Sequence, residues 1–228
     1  MVEYRFTLED GSLHTFKVDL DRAFDFSSDA DEHAFWTELK FNQCTNCPLS
    51  NDEFRHCPAA LDLEDIVRVF EKILSYQKVN VEVRTPERTY SKHCDAQTAL
   101  TSLVGLVMAT GRCPILSKLK GLASFHLPFA TMEETVFRTT GAYLLSQYFQ
   151  YKQGHPPDLD LVGLDQLYQE LQIVNKGFKK RIDAASEKDA NMNAIASLYA
   201  LSAGVAYSLE DQLMELKSQF SRPFPTAN

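Results

Sequence analysis

Apolar and polar residues alternate in two parts of the N-terminal half, as they do in half-buried strands. Every second residue is apolar in 2–8, and the alternation resumes in 16–20 after an Asp-Gly pair. This pattern predicts a β-hairpin, because Asp-Gly suits a tight turn between two strands. The alternation in 79–83, followed by a Pro-containing turn and a return over 89–91, predicts a second hairpin.

The segment between the two hairpins has a mixed pattern. Alternation over 37–41 favours a third strand, with a short helix as the alternative. Apolar residues in 62–76 recur at helical spacing, and Asp62 stands where an N-cap residue is expected. The acidic segment 19–32 shows neither period and is predicted to be a loop.

From residue 95 onward, the spacing of apolar residues is almost wholly helical. The predicted helices are four long ones, at about 95–110, 131–152, 164–185 and 190–220, and a shorter one within 113–128. A Thr-Met-Glu-Glu capping box marks the start of the second long helix.

Together these elements predict an α+β protein. Residues 1–94 are expected to form a small antiparallel sheet of two hairpins, with a cysteine knuckle and one helix. Residues 95–222 are expected to form a C-terminal helical bundle that packs with the sheet as one unit. Residues 223–228 are predicted to be a frayed tail.

Charge and composition narrow the possible functions. The chain has 23 Lys and Arg against 31 Asp and Glu, a formal net charge of −8. Without a basic stripe, binding to a nucleic-acid backbone is disfavoured as the main role, and the one basic cluster, 176–181, is interpreted as a solvated helix face. No apolar run reaches the roughly eighteen residues of a membrane span. Five cysteines without an export signal predict reduced thiols and a cytoplasmic location.

The most specific chemistry lies in the spacing of the cysteines. Cys44, Cys47 and Cys57 form a C-x2-C-x9-C pattern. Two thiolates at C-x2-C spacing can hold one tetrahedral metal ion, because a tight turn brings both sulfurs to the same side. Proline directly follows Cys47, Cys57 and Cys113. Since proline suits the first turn of a helix, each of these cysteines is expected at a helix N-terminus, where the dipole favours thiolate.

The predicted metal ligands are four cysteines, of which the last comes from the helical half: Cys44, Cys47, Cys57 and Cys113. His56 is the alternative fourth ligand, although its adjacency to Cys57 makes joint binding awkward. Cys94 is a weaker candidate for the fourth ligand than either Cys113 or His56. Four thiolates suit zinc, the first choice, or an iron–sulfur cluster. The alternative without metal is that the thiols are small buried apolar groups.

A second group of residues surrounds the capping box. His126, Glu133 and Arg138 lie near the predicted start of one helix, where they can form an acid–base or anion site. The simpler interpretation is that Glu134 caps the helix and pairs with Arg138 one turn later. No catalytic residue is assigned from the sequence.

Three stretches of the chain resemble an uncharacterised bacterial family known only as a domain of unknown function. They run from Trp36 to Pro58, from Met108 to Pro114 and from Phe125 to Phe129. The resemblance covers most of the chain, and it implies no activity, cofactor or partner.

Three functions follow as hypotheses. The first is a cytoplasmic accessory or interaction protein with a mainly structural, cysteine-ligated metal. The second is a metal-dependent or redox enzyme whose site lies where Cys113, His126 and Glu133 meet. The third is a metal-free dimerisation module, in which the aromatic stripe of 143–151 belongs either to the core or to a homodimer interface through the helical half.

Overall fold

In the computed structural model, which describes residues 1–22 and 32–220, the two hairpins form one four-stranded antiparallel sheet. Its strands are β1 (Val2–Leu8), β2 (Leu13–Val18), β3 (Lys78–Arg84) and β4 (Thr89–Asp95). The strand order is β2-β1-β3-β4, so the hairpins join through β1 and β3. Both predicted hairpins are confirmed, and Gly11 adopts a φ of 84° in the first turn, where glycine is favoured.

The helices lie mostly in the C-terminal part of the chain, and the α+β prediction is confirmed. The α-helices are α1 (Pro58–Phe70), α2 (Ala96–Thr110), the short α3 (Lys120–Ala123), α4 (Met132–Lys152), α5 (Val162–Ala185) and α6 (Ala190–Leu216). Single 3₁₀ turns occupy Phe35–Thr37, Leu116–Leu119 and Lys217–Phe220. The predicted capping box at Thr131 is present, with both of its hydrogen bonds to Glu134.

One hydrophobic core joins the sheet to the helices. It contains side chains from the sheet and from α1, α2, α4, α5 and α6. Every second residue of β1 and β3 is buried, and α2 packs against β3 and β4. Helix α6 contacts α2, α4 and α5, so it is the centre of the helical half.

The predicted third strand at 37–41 is wrong. The chain instead forms the 3₁₀ turn Phe35–Thr37 and a single bridge between Glu38 and His56. The physical reason is that the side chain of Arg181 donates to main-chain carbonyls of this segment, which removes acceptors that a neighbouring strand would need.

Helix α1 begins earlier than its predicted N-cap. Pro58 provides the first turn, and Asp62 lies inside the helix, where it pairs with Arg22 at 3.0 Å and with Arg112 at 3.7 Å. The short helix predicted within 113–128 is a 3₁₀ turn followed by α3. Most of the predicted loop (23–31) and the predicted tail lie outside the described residues.

Within residues 1–22 and 32–220, no single helix is both long and apolar enough to cross a membrane. Two helical segments, Ala190–Ala206 and Leu209–Phe220, meet that criterion only as a pair, and they are bent by 77° from each other.

Candidate metal centre

The four cysteines predicted as ligands line one small cavity. They come from three separate segments: the loop after the first 3₁₀ turn, the start of α1 and the turn after α2. The cavity volume is about 20 Å³. A cavity needs a volume of roughly 10–15 Å³ to hold one water molecule, so this cavity has room for one occupant about as large as a water.

Main-chain hydrogen bonds hold the cysteine-bearing segments in place. The amide of Cys47 donates to the carbonyl of Cys44 at 3.0 Å, which closes the tight turn expected of a C-x2-C pair. The amide of Cys57 donates to the carbonyl of Thr37 at 2.7 Å, and Cys57 is the N-cap residue of α1. The carbonyl of Cys113 accepts from Ser117 at 2.9 Å.

Helix α5 covers the cavity from the helical half. Val174 and Phe178 line it, and the thiol of Cys44 lies 3.8 Å from the carbonyl oxygen of Val174. A side chain at Gly177 would place its Cβ 2.9 Å from the sulfur of Cys44. Glycine at this position therefore allows the loop and α5 to approach closely.

Among residues 1–22 and 32–220, Arg181 is the one charged residue that lines the cavity. It is 1% exposed, and its terminal nitrogens donate to the carbonyls of Trp36, Glu38 and Leu39 at 2.6 to 2.8 Å. Its buried Nε has no hydrogen-bond partner among the described residues. Among the same described residues, no carboxylate forms an ion pair with the guanidinium of Arg181. A buried cation without a counter-charge is costly, so this site favours negative charge nearby.

The expectation that the Cys-Pro steps lower the thiol pKa is wrong at Cys57 and at Cys113 for the protein without metal. Burial raises the pKa of Cys44 to about 12, and the other three thiols of the cavity add to this shift, while Arg181 opposes it. Burial also raises the pKa of Cys57 and of Cys113, and it outweighs the main-chain amides at each position. Moreover, of the three Cys-Pro steps only the one at Cys57 begins an α-helix.

The thiols share a cavity, but they are not in a metal-ligating arrangement. In the described ranges, no group of three or more His, Cys, Asp or Glu side chains is placed to hold a metal ion. All five cysteines are free thiols.

The other predicted residues lie elsewhere. His56 does not line the cavity, and its Nδ1 lies 2.8 Å from the hydroxyl of Thr37, so the geometry disfavours it as the fourth ligand. Cys94 is buried in β4. The predicted meeting point of Cys113, His126 and Glu133 does not form, because His126 lines a different cavity and Glu133 is exposed on α4, where Gln219 donates to it.

Comparison with known proteins gives a family but no activity. The family model described as Domain of unknown function (DUF6901) matches residues 2–221. The chain belongs to this family. The predicted resemblance to an uncharacterised family is thereby confirmed. No curated protein and no solved structure matches the chain.

Two residues of this DUF6901 site were missed by the sequence analysis. Arg181 was included in the basic cluster that was interpreted as a solvated helix face. Its position three residues after Phe178 and seven after Val174 places it on the apolar side of α5, and that spacing was the available sign of burial. Gly177 carries no sign in the sequence, because only the approach of the loop makes a side chain crowded there.

Proposed function

We propose that this DUF6901 protein binds one zinc ion through Cys44, Cys47, Cys57 and Cys113, and that it acts as an accessory or interaction protein with a mainly structural metal. The observation that carries the proposal is the combination of four thiols and one buried, unpaired arginine around a single small cavity. Rotation of the cysteine side chains about their Cα–Cβ bonds is needed to bring the sulfurs into a tetrahedron.

Charge supports a metal–thiolate site over neutral thiols. Zinc bound by four thiolates carries a net charge of −2, and this charge would offset the guanidinium of Arg181. The unpartnered Nε–H of the same side chain is a suitable donor to a metal-bound sulfur. Hydrogen bonds of this kind orient the ligands of a metal ion and adjust their basicity. Binding would release the thiol protons that burial otherwise retains.

The size of the cavity favours a single ion over a polynuclear cluster. A volume of about 20 Å³ suits one ion, whereas an iron–sulfur cluster contains several iron and sulfide ions. Four protein ligands also complete the coordination of zinc, and closed sites of this type are structural. The ion would tie the loop, the start of α1 and the end of α2 together beneath α5. Such thiolates persist in a reducing compartment, so we extend the proposal to a cytoplasmic location.

The experiment is elemental analysis of the full chain, purified without added metal and without oxygen. We expect about one zinc per chain, and loss of that zinc in Cys57→Ser and in Cys113→Ser. Cys94→Ser is the matched control, because Cys94 is buried but does not line the cavity, and it should retain the ion. A folded, metal-free protein with five titrating thiols overturns the proposal. Iron with visible absorption favours the cluster instead.

A second candidate, self-association through the helical half, has one specific observation in its favour. Tyr148, Phe149 and Tyr151 of α4 are each more than half exposed, so these aromatic residues do not belong to the core of one chain. Aromatic side chains in such positions are typical of interfaces. The test is the molar mass by light scattering, with and without a chelator. A dimer that survives chelation supports this candidate, and a monomer at all concentrations refutes it.

A further inference from the structure

A second cavity is lined in part by α2, and it shares no lining residue with the cysteine cavity. Its volume is about 320 Å³, within the range of small-molecule sites. Leu106, Leu119, Leu198 and Leu201 are among the side chains that make its wall mostly apolar. The polar groups are few, which is the usual composition of a ligand pocket.

A chain of hydrogen bonds reaches the wall at His126. The hydroxyl of Tyr4 lies 2.7 Å from the hydroxyl of Ser102 and 2.5 Å from Nε2 of His126, and the amide of Phe129 donates to Ser102 at 3.3 Å. Burial and the charge of Arg138 lower the pKa of His126 to about 4, so the ring is neutral near pH 7. The Tyr4 contact occupies Nε2 whichever of the two atoms is the donor, so Nδ1 is the ring nitrogen left for a ligand.

Arg138 lines the same cavity. One of its terminal nitrogens donates to the carbonyls of Leu122 and Phe125, at 3.3 and 2.7 Å. The predicted ion pair with Glu134 does not form. Instead, Glu134 accepts from the amide of Thr131 in the capping box. Within the described ranges, the guanidinium therefore makes no ion pair, although the nearby carboxylate of Glu134 opposes the lowering of its pKa that burial causes.

Several hydroxyl groups that line the cavity already donate hydrogen bonds within the protein. Those of Thr101, Thr135 and Ser197 donate to carbonyls one turn earlier in their own helices. Among the described residues of the wall, the polar groups open to a ligand include the hydroxyl of Thr98, Nδ1 of His126 and the guanidinium of Arg138, and only the last of these carries a charge. His126, Arg138 and Leu127 also line a neighbouring groove of about 660 Å³, so the charged end of the cavity adjoins a second recess. An apolar chamber with a cation and a neutral imidazole at one end suits an anionic head on an apolar body.

We propose that this cavity binds a small carboxylic acid with an apolar body, whose carboxylate contacts Arg138 and His126 and whose apolar part lies between α2 and α6. At the roughly 10–15 Å³ per water-sized group that applies to the cysteine cavity, this volume holds about 20–30 such groups, so the ten non-hydrogen atoms of octanoate fit inside it. Octanoate also has the required chemistry. The proposal is independent of the zinc site, because the two cavities have no residue in common.

The test is a titration of the full chain, as purified, followed by amide chemical shifts in NMR spectra. Three probes separate the contributions: octanoate, 1-octanol with the same apolar body, and acetate with the same head. We expect octanoate to shift the amides of the cavity wall and 1-octanol to bind at least about tenfold more weakly, because it lacks the charge-assisted hydrogen bonds. Acetate should shift none of these amides at the same concentrations.

Substitutions of Arg138 test whether this residue selects the carboxylate head of the ligand. Arg138→Gln should reduce the affinity for octanoate to that for 1-octanol, and Arg138→Lys should retain part of the preference. Arg68→Gln is the matched control, because Arg68 is exposed on α1 and does not line the cavity, and it should change nothing. Equal affinity of the wild type for octanoate and 1-octanol, or no shift with either while the protein is folded, overturns the proposal. Neither outcome depends on the folding of a variant.

Discussion

Replacement of Arg181 by Met removes the hydrogen bonds that hold the segment before Cys44 against α5. The guanidinium is 1% exposed and donates to the carbonyls of Trp36, Glu38 and Leu39 at 2.6 to 2.8 Å. Methionine fills a similar volume, so the main cost is that of three carbonyls that lose a charged donor, at about 1.5 kcal/mol each, the lower end for such bonds. We expect the free energy of unfolding of the metal-bound protein to fall by about 4–5 kcal/mol. For a chain of 228 residues this lowers the melting temperature by about 8–20 °C.

The proposed metal site adds a second expectation for the same variant. Without thiolates, removal of a buried, unpaired cation is itself favourable and offsets part of the lost hydrogen bonding. With zinc and four thiolates, Arg181 is the counter-charge, and its loss is costly. The variant should therefore lose more stability with zinc bound than after chelation.

The assay is urea unfolding followed by circular dichroism, on wild type and variant, with and without a chelator. Lys179→Met is the matched control, because Lys179 lies on the same helix but is exposed and pairs with Asp183. Its effect should remain within about 0.5 kcal/mol. If Arg181→Met costs no more than this control, the hydrogen-bond reasoning is refuted. If its cost is the same with and without zinc, the role of Arg181 as counter-charge is refuted.

Three further predictions concern positions where one contact dominates. Gly177→Ala places a Cβ 2.9 Å from the sulfur of Cys44, so it should lower the stability by about 1–2 kcal/mol and reduce zinc retention. Gly141→Ala is the control, because it has open space on α4, and it should stabilise the protein by up to about 1 kcal/mol. Equal effects of the two substitutions in urea unfolding would refute the crowding argument. Thr131→Ala removes the capping box of α4 and should cost about 1 kcal/mol of unfolding free energy, and an unchanged urea midpoint would contradict this. Hydrogen bonds from the turn after α1 lower the pKa of Asp189, so its ionised form stabilises the fold above the ordinary Asp pKa, and this contribution is lost as pH falls through the folded pKa. Stability measured against pH should therefore decline less steeply on the acid side in Asp189→Asn, and identical profiles would show that the carboxylate is not involved.

Features set by neighbours in sequence could be predicted, and those set by distant residues could not. The hairpins and the capping box at Thr131 depend on local alternation and on residues three positions apart, and both are present. The segment 37–41 also alternates, but its carbonyls are taken by a side chain more than 140 positions away, so the local pattern gave the wrong structure. The start of α1 was misplaced because Asp62 serves ion pairs with Arg22 and Arg112 instead of a cap.

The candidate site also has features that depend on neighbours in sequence and features that depend on distant residues. The C-x2-C turn is local, and its closing hydrogen bond is present. The presence of Cys113 in the same cavity was predicted only from the repeated Cys-Pro pairs, and the structure places it there. The direction of the pKa shift at Cys57 and Cys113 was predicted wrongly, because helix position is visible in a sequence and burial is not. The helical spacing of Arg181 from Val174 and Phe178 indicates its burial, but its position beside the thiols depends on the packing of α5 over them.

The X-ray absorption spectrum at the zinc edge of the purified chain tests the central claim most directly. The account predicts one zinc with four sulfur neighbours at about 2.3 Å. A spectrum dominated by nitrogen or oxygen neighbours, or a folded protein with no zinc to measure, would contradict it.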